Sequence, residues 1–166
     1  MVSIGVLIAA FILQVGVAPY VSIAGATPNF FMIAAVAVAL IAGPNEGASV
    51  GFAGGLLYDM VGMTSVGPMA LVLAIAGYVA GLLQQNMFAE GWVLPITTLG
   101  IVGVVVEISY LVVVSVLGVD VEFWRTLISL SLPSALYTAL VGLVFYPPAA
   151  KLMGRRRPVS SIKRIG

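Results

Sequence analysis

Six apolar runs, separated by short segments that contain proline or glycine, occupy almost all of this 166-residue chain. They cover residues 2–17, 28–43, 47–63, 67–85, 92–118 and 127–153. A helix that crosses the hydrocarbon layer of a membrane needs ~20 apolar residues, so the first three runs are at the short end. Charged residues make up only 8% of the chain, too few to cover a folded surface in water. The pattern predicts an all-α polytopic membrane protein with six transmembrane helices.

The basic residues are concentrated at the C-terminus, and they predict the domain organisation and the topology. We expect a six-helix transmembrane domain over residues 1–153 and a basic cytoplasmic tail over residues 154–166. Lys and Arg beside a span stay cytoplasmic, so six spans place both termini in the cytoplasm. The N-terminal run lacks a basic segment and a cleavage pattern, which favours a retained span over a signal peptide. The basic side chains expected to fix topology and contact lipid head groups are Lys151, Arg155, Arg156 and Arg157.

A stripe of glycines marks the third run. Gly43, Gly47, Gly51 and Gly55 follow each other at a spacing of four, and Asp59 takes the next step. On a helix this spacing places all five on one face. Small residues at membrane helix interfaces let two backbones approach closely. The stripe therefore predicts a central, tightly packed helix, and the spacing leaves open whether its neighbour lies in this chain or in a partner.

Two acidic residues lie inside predicted spans. Asp59 is expected near the outer end of the third helix, where it can accept hydrogen bonds from a neighbouring backbone. Glu107 lies near the middle of the fifth run, where an ionised carboxylate is costly unless it faces protein or gains a partner. It could serve a proton or cation relay or contact another subunit. A relay needs several ionisable groups, so we favour a hydrogen-bonded packing role. Glu46 is interpreted as an N-terminal cap.

Proline and glycine predict where the helices begin and end. We expect Thr27 to cap the second helix, with Pro28 at its first position. Gly67 and Pro68 are expected to open the fourth helix. The pair Pro147–Pro148 is expected to kink or end the last helix near Phe145.

The residue types argue against catalysis. The chain contains no cysteine and no histidine, which excludes disulfides, thiolate chemistry and histidine-based sites. We find no glycosidase-type carboxylate pair, Ser-His-Asp set or phosphate-binding loop in the sequence. We therefore expect no enzymatic activity, no cofactor, no metal and no nucleic-acid partner.

The motifs together resemble the MreD family of bacterial rod shape-determining membrane proteins. The resemblance rests on Gln14…Pro19, Gly25-x-x-Pro28-Asn29, the stripe from Gly43 to Asp59, Gly67-Pro68-x-Ala70-Leu71, Gly77-Tyr78-x-x-Gly81, Pro133-x-Ala135-Leu136-Tyr137 and the basic end. It covers nearly the whole chain, and it is specific in helices two to four and weak in helix five. Glu107 matches no motif of the family.

The resemblance implies a non-enzymatic scaffold in the bacterial inner membrane. Such a protein would bind MreC and act with MreB, RodA and a class B penicillin-binding protein in rod shape and lateral peptidoglycan synthesis. A small-residue groove could accept the partner's transmembrane helix. Pro28, Asn29 and Asp59 would then shape the outer end of the partner surface.

The family's fold is similar to that of the S-components of energy-coupling-factor vitamin transporters, which supplies the alternative function. An S-component would hold a vitamin in an outward-facing pocket. In this chain Tyr20, Asn29, Tyr58 and Asp59 could line such a pocket.

Overall fold

The computed structural model describes residues 2–23, 25–62, 67–86, 93–118 and 122–154. These residues form helices and connecting turns, and no strand occurs among them, which confirms the all-α prediction. The elements are α1 Val2–Gly16, α2 Phe30–Ala42, α3 Pro44–Val61, α4 Pro68–Asn86, α5 Val93–Val116, α6 Phe123–Thr126, a π-helical segment Leu127–Ser131, and α7 Leu132–Gly154. The last three follow one another without a break.

The second helix, α2, is the centre of the bundle. Every residue from 30 to 40 is buried, and α1, α3, α4, α5 and α7 all pack against this helix. The sequence predicted the third helix as a central, tightly packed element. The tight packing is confirmed by its contact with α4, but the central position is wrong, because α3 exposes Phe52 and Met60 on its outer side. The physical reason lies in the small side chains of α2, where alanines at 34, 35, 37 and 39 let neighbouring helices approach from several sides.

Among the described residues, three helical segments are long and apolar enough to cross a membrane: Pro68–Gln85, Thr97–Val116 and Phe123–Pro148. Two further apolar helices, Ser3–Gly16 and Phe30–Ala42, are shorter than a usual span. Large apolar side chains such as Ile101 and Val144 point outwards. This surface belongs to a membrane protein, while the prediction of six spans is supported only in part.

The helix ends differ from the sequence prediction at two places. Asn29, rather than Thr27, is the N-cap of α2, since its Oδ1 accepts a hydrogen bond from the Met32 amide at 3.0 Å. The last helix does not end near Phe145 but continues through both prolines to Gly154, while the alternative of a kink there stays a prediction. Proline removes single backbone donors, and in apolar surroundings no water competes for the remaining helical hydrogen bonds. Gly67 and Pro68 open α4 as predicted.

The C-terminal basic residues are divided by the limit of the described chain. Lys151 lies in the last turns of α7, where it is exposed. Arg155, Arg156 and Arg157 lie outside the described residues.

Candidate functional site

The glycines of α3 pack directly against the backbone of α4. A Cβ atom at Gly47 would lie 2.7 Å from the Gly77 carbonyl oxygen, and one at Gly55 would lie 2.5 Å from the Ala70 Cα. A Cβ at Gly51 would overlap the Leu73 carbonyl oxygen. These distances are shorter than real Cβ contacts allow, so only glycine fits at the three positions. The neighbour of the stripe is therefore α4 of the same chain, and α4 fills the groove.

The pairing is reciprocal, because α4 presents its own glycines to α3. A Cβ at Gly77 would overlap the Gly47 carbonyl oxygen, and one at Gly81 would overlap the backbone of Pro44. The contacts pair the start of α3 with the end of α4, so the two helices run antiparallel. Such backbone contact is the usual role of small residues between membrane helices.

Gly43, the first member of the stripe, lies outside the helix. It joins α2 to α3 with φ +102° and ψ −180°, a conformation that essentially only glycine adopts. Its amide donates to the Ala39 carbonyl at 3.0 Å, which closes the last turn of α2. Gly43 thus allows the sharp turn that sets α3 against α2.

Asp59 holds the first turn of α4. Its side chain is completely buried, and its Oδ2 accepts hydrogen bonds from the amides of Gly67 at 2.8 Å, Met69 at 3.1 Å and Ala70 at 3.4 Å. The first amides of a helix have no partner within the helix, and a negative charge there is favourable. The carboxylate thus caps the next helix in the chain, at the end where α3 stops and α4 starts.

Asn29 and Thr138 join the start of α2 to α7. Besides capping α2, Asn29 donates its backbone N–H to the Thr138 Oγ1 at 3.0 Å. Both residues are buried, with exposed fractions of 3% and 1%. The Asn29 Nδ2 atom is buried without a hydrogen-bond partner among the described residues. Pro28, directly before this cap, is also buried.

Gln14 and Thr138 are two structurally important residues that the sequence analysis did not select as site residues. The Gln14 Oε1 accepts the Phe30 amide at 2.8 Å, so α1 supplies a second cap for α2. Both contacts join segments far apart in the chain, which no local pattern reveals. A polar side chain in an otherwise apolar run, as at these two positions, is the only signal in the sequence. We call Gln14, Asn29, Asp59 and Thr138 the capping cluster.

The capping cluster lies at one end of the bundle, which we call the capped end. Phe31 and Tyr58, beside Asn29 and Asp59, form an edge-to-face ring contact at 6.5 Å. This contact places the start of α2 next to the end of α3. Every hydrogen bond of the cluster given above holds a backbone amide, so its chemistry is helix capping.

Glu107 lies on α5 with its side chain partly buried. Glu46 lies in the first turn of α3, as predicted, but its Oε2 accepts the Ser3 hydroxyl at 2.9 Å, and no side-chain cap forms at the start of α3.

The four residues proposed for an S-component pocket have very different surroundings. Tyr20 is 88% exposed, whereas Asn29 and Asp59 are buried. Tyr58 packs its ring against Phe31. Asp59 offers its carboxylate to backbone amides rather than to a cavity. This arrangement does not favour the vitamin-binding alternative.

The fold and the capping cluster define a helical membrane protein whose buried polar side chains secure the ends of its helices. The family described as rod shape-determining protein MreD matches this chain over residues 1–156. The chain therefore belongs to the MreD family, as the sequence motifs predicted, and its role is in rod shape determination. Comparisons with curated proteins and with solved structures gave no match. The likeness to S-components stays a prediction.

Proposed function

We propose that this protein is a non-enzymatic scaffold of the machinery that elongates the bacterial cell wall. It lies in the inner membrane with both termini in the cytoplasm, binds MreC, and acts with MreB, RodA and a class B penicillin-binding protein. It supports rod shape by holding these partners together during lateral peptidoglycan synthesis.

The surroundings of Asp59 support the scaffold proposal in addition to the family match. The fully buried Asp59 carboxylate is bound to amides of α4. A catalytic or transport carboxylate must reach a substrate, whereas this one fixes the geometry of two helices. With the backbone pairing of α3 and α4, it fixes how these two helices lie against each other. A surface that is already ordered spares a partner the cost of ordering it on binding.

The contact surface for MreC lies elsewhere than in the stripe on α3, since α4 occupies that groove. Pro28, Asn29 and Asp59 are all buried, so they act on a partner indirectly. They fix where α2 and α4 begin, and the start of each helix determines where the outer loop before it lies. In this proposal MreC recognises the shape of the capped end.

Co-purification of MreC tests the proposal. Wild-type protein should retain MreC, and Asp59→Ala should lose most of it because α4 loses its cap. Glu46→Ala is the matched control, since it also removes a carboxylate but from an exposed position. Cells that keep rod shape although no MreC associates with the wild-type protein would contradict the scaffold. Stabilisation of the purified protein by micromolar thiamine, riboflavin or biotin would instead support the S-component.

Reporter fusions test the topology separately. A fusion at Gly166 should report a cytoplasmic location and one at Glu122 an extracytoplasmic location. A C-terminus outside the cell would contradict the proposed orientation without affecting the binding test.

A further inference from the structure

A lateral groove of about 310 Å³ lies between α1, α2 and α7. Gly5, Ala9 and Leu13 line it from α1, and apolar residues of α2 and α7 line it from the other two sides. Phe30 and Phe145 also line it, and their rings meet edge to face with the ring centroids 5.5 Å apart. The groove is therefore apolar along its length. Its volume is at the lower end of the range for ligand sites, roughly 300–1,000 Å³.

Hydrogen bonds show which end of the groove lies at the capped end of the bundle. Gln14 of α1 binds the Phe30 amide at the capped end, so the Leu13 side of the groove lies there. Gly5 is eight residues earlier on α1, about 12 Å along the helix. Pro148 is ten residues after Thr138, so it lies towards the end of α7 that is opposite the capped end. The groove thus runs from the capped end towards the opposite end, where α1 begins and α7 finishes.

A basic side chain lies beyond the groove, at the end of the bundle opposite the capped end. Lys151 is three residues after Pro148, so it lies on the same side of α7 one turn further on. It is exposed, and the sequence adds Arg155, Arg156 and Arg157 directly after the helix. Glu46 at this end accepts the Ser3 hydroxyl and does not line the groove. An apolar groove with the basic side chain of Lys151 beyond its end matches a molecule with an apolar chain and an anionic head.

We propose that the lateral groove binds an anionic glycerophospholipid, with an acyl chain between α1, α2 and α7 and its phosphate at Lys151. Basic pockets beside transmembrane helices on the cytoplasmic side are typical sites for anionic head groups. Each methylene that moves from water into an apolar site contributes ~0.8 kcal/mol. An acyl chain in a membrane is already out of water, so its transfer into the groove does not repeat that contribution. The selectivity of the groove therefore comes from the head group.

Other occupants fit the groove less well. Over the ~12 Å of α1 between Gly5 and Leu13, a groove of about 310 Å³ is roughly 5 Å across. That is too narrow for a transmembrane helix, whose diameter with side chains is about 10–12 Å. The rest of this chain's own C-terminus is strongly basic, with Arg155 to Arg157 followed by Lys163 and Arg164. Such a segment has no apolar stretch to place between the three helices.

The chain offers a matched pair of variants for the test. A Cβ at Gly5 or at Gly16 would meet nothing within 4 Å, so either glycine accepts a larger side chain without strain. Gly5 lines the groove, whereas Gly16, on the same helix, does not. Gly5→Leu should fill the groove, and Gly16→Leu should leave it open. Ala9→Leu is a second filling variant, since Ala9 also lines the groove and is exposed.

The experiment is a lipid titration of the delipidated full-length protein in detergent, followed by native mass spectrometry. Phosphatidylglycerol should bind at least ten-fold more tightly than phosphatidylcholine of the same chain length. Gly5→Leu and Ala9→Leu should weaken phosphatidylglycerol binding at least five-fold, and Gly16→Leu should leave it unchanged. Lys151→Gln should bring phosphatidylglycerol down to the affinity of phosphatidylcholine, whereas Lys151→Arg should not.

Three results would overturn the proposal. Equal affinity for the two lipids would remove the role of the charge. Undiminished binding by both filling variants, with unfolding temperatures like the wild type, would place the lipid elsewhere. Loss of MreC from Gly5→Leu with lipid binding unchanged would show that the groove receives a partner instead.

Discussion

The α3–α4 pair and the first helix use glycine for opposite purposes. In the pair, the absence of a side chain lets the two backbones touch, and a Cβ at Gly47, Gly51 or Gly55 would overlap neighbouring atoms. In α1, a Cβ at Gly5 or Gly16 would meet open space. The same residue type thus marks the tightest contact of the bundle and one of its loosest surfaces.

This difference shows that small residues mark two kinds of surface. Where both partners are small and their spacing of four matches, the two backbones come into direct contact. Elsewhere small residues line a groove, as Gly5 and Ala9 of α1 and Ala34 and Ala37 of α2 do. Sequence patterns that consider a single helix cannot distinguish the two cases.

The largest effect is expected from Gly51→Leu. A leucine at this position would force the α3 backbone away from Leu73, because even its Cβ overlaps the Leu73 carbonyl oxygen. Overpacking of this severity should cost roughly 4 kcal/mol or more in the free energy of unfolding. Thermal unfolding of the purified protein in detergent measures the change. The matched variant Gly5→Leu should unfold within a few degrees of the wild type, and equal losses in both would refute the contrast.

A smaller loss is expected when the cap between α3 and α4 is removed. Asp59→Ala leaves the amides of Gly67 and Met69 without their acceptor, while the glycine contacts remain. Hydrogen bonds to a charged group contribute ~1.5–3 kcal/mol each, and a buried unpaired donor is costly. We expect a loss of about 3 kcal/mol for Ala and a smaller one for Asn, which keeps one acceptor oxygen. Hydrogen exchange at the first turn of α4 should rise in step. If Asn proves as damaging as Ala, the charge rather than the acceptor is what the helix end requires.

Sequence alone predicted the helices and the face on which the glycines lie, because both follow from local periodicity. It failed at the start of α2, where Thr27 and Asn29 both belong to the residue types that cap helices. Gln14 and Thr138 decide between them through hydrogen bonds to the first amides of α2 and its cap. Those contacts span 16 and 109 positions in the chain, so no local pattern contains them.

The centre of the bundle was also misjudged for a physical reason. The glycine stripe drew attention to α3, but close approach to one neighbour is different from burial on all sides. The alanines of α2 were the better signal, since small side chains allow close approach from several sides. The lateral groove was not predicted, since it depends on how α1, α2 and α7 diverge. Asp59 was expected to bond a neighbour's backbone near a helix end, and the structure identifies the acceptor's partners as the first turn of α4.

Glu107 of α5 provides a test outside the α3–α4 pair. Its side chain is half-buried on α5, where a carboxyl group close to the membrane centre needs polar or protein surroundings. We expect Glu107→Gln to be tolerated because it keeps a hydrogen-bonding group. Glu107→Leu should lower stability by about 1–2 kcal/mol or weaken assembly with MreC. Full tolerance of Leu together with a defect in Gln would show that the charge itself is required.

Thr138 tests how firmly α7 is joined to the centre. Thr138→Val keeps the shape of the side chain but leaves the buried Asn29 N–H without its acceptor. The cost should be about 1 kcal/mol, and it should appear as a lower unfolding temperature. Thr138→Ser is the control, since it keeps the hydroxyl group. A Val variant as stable as the Ser variant would show that another acceptor replaces the lost one.

The smallest expected effect also has the opposite sign. Glycine inside a helix is less favourable than alanine by roughly 0.5–1 kcal/mol. At Gly5 the Cβ has open space, so Gly5→Ala should raise the unfolding temperature slightly. At Gly55 the same methyl group would lie 2.5 Å from the Ala70 Cα, so Gly55→Ala should lower it by several degrees. One substitution type therefore changes sign between the two regions. If both variants are destabilised, Gly5 is covered by something in the membrane-extracted protein, and binding measurements on the variant with phosphatidylglycerol would show whether that is lipid.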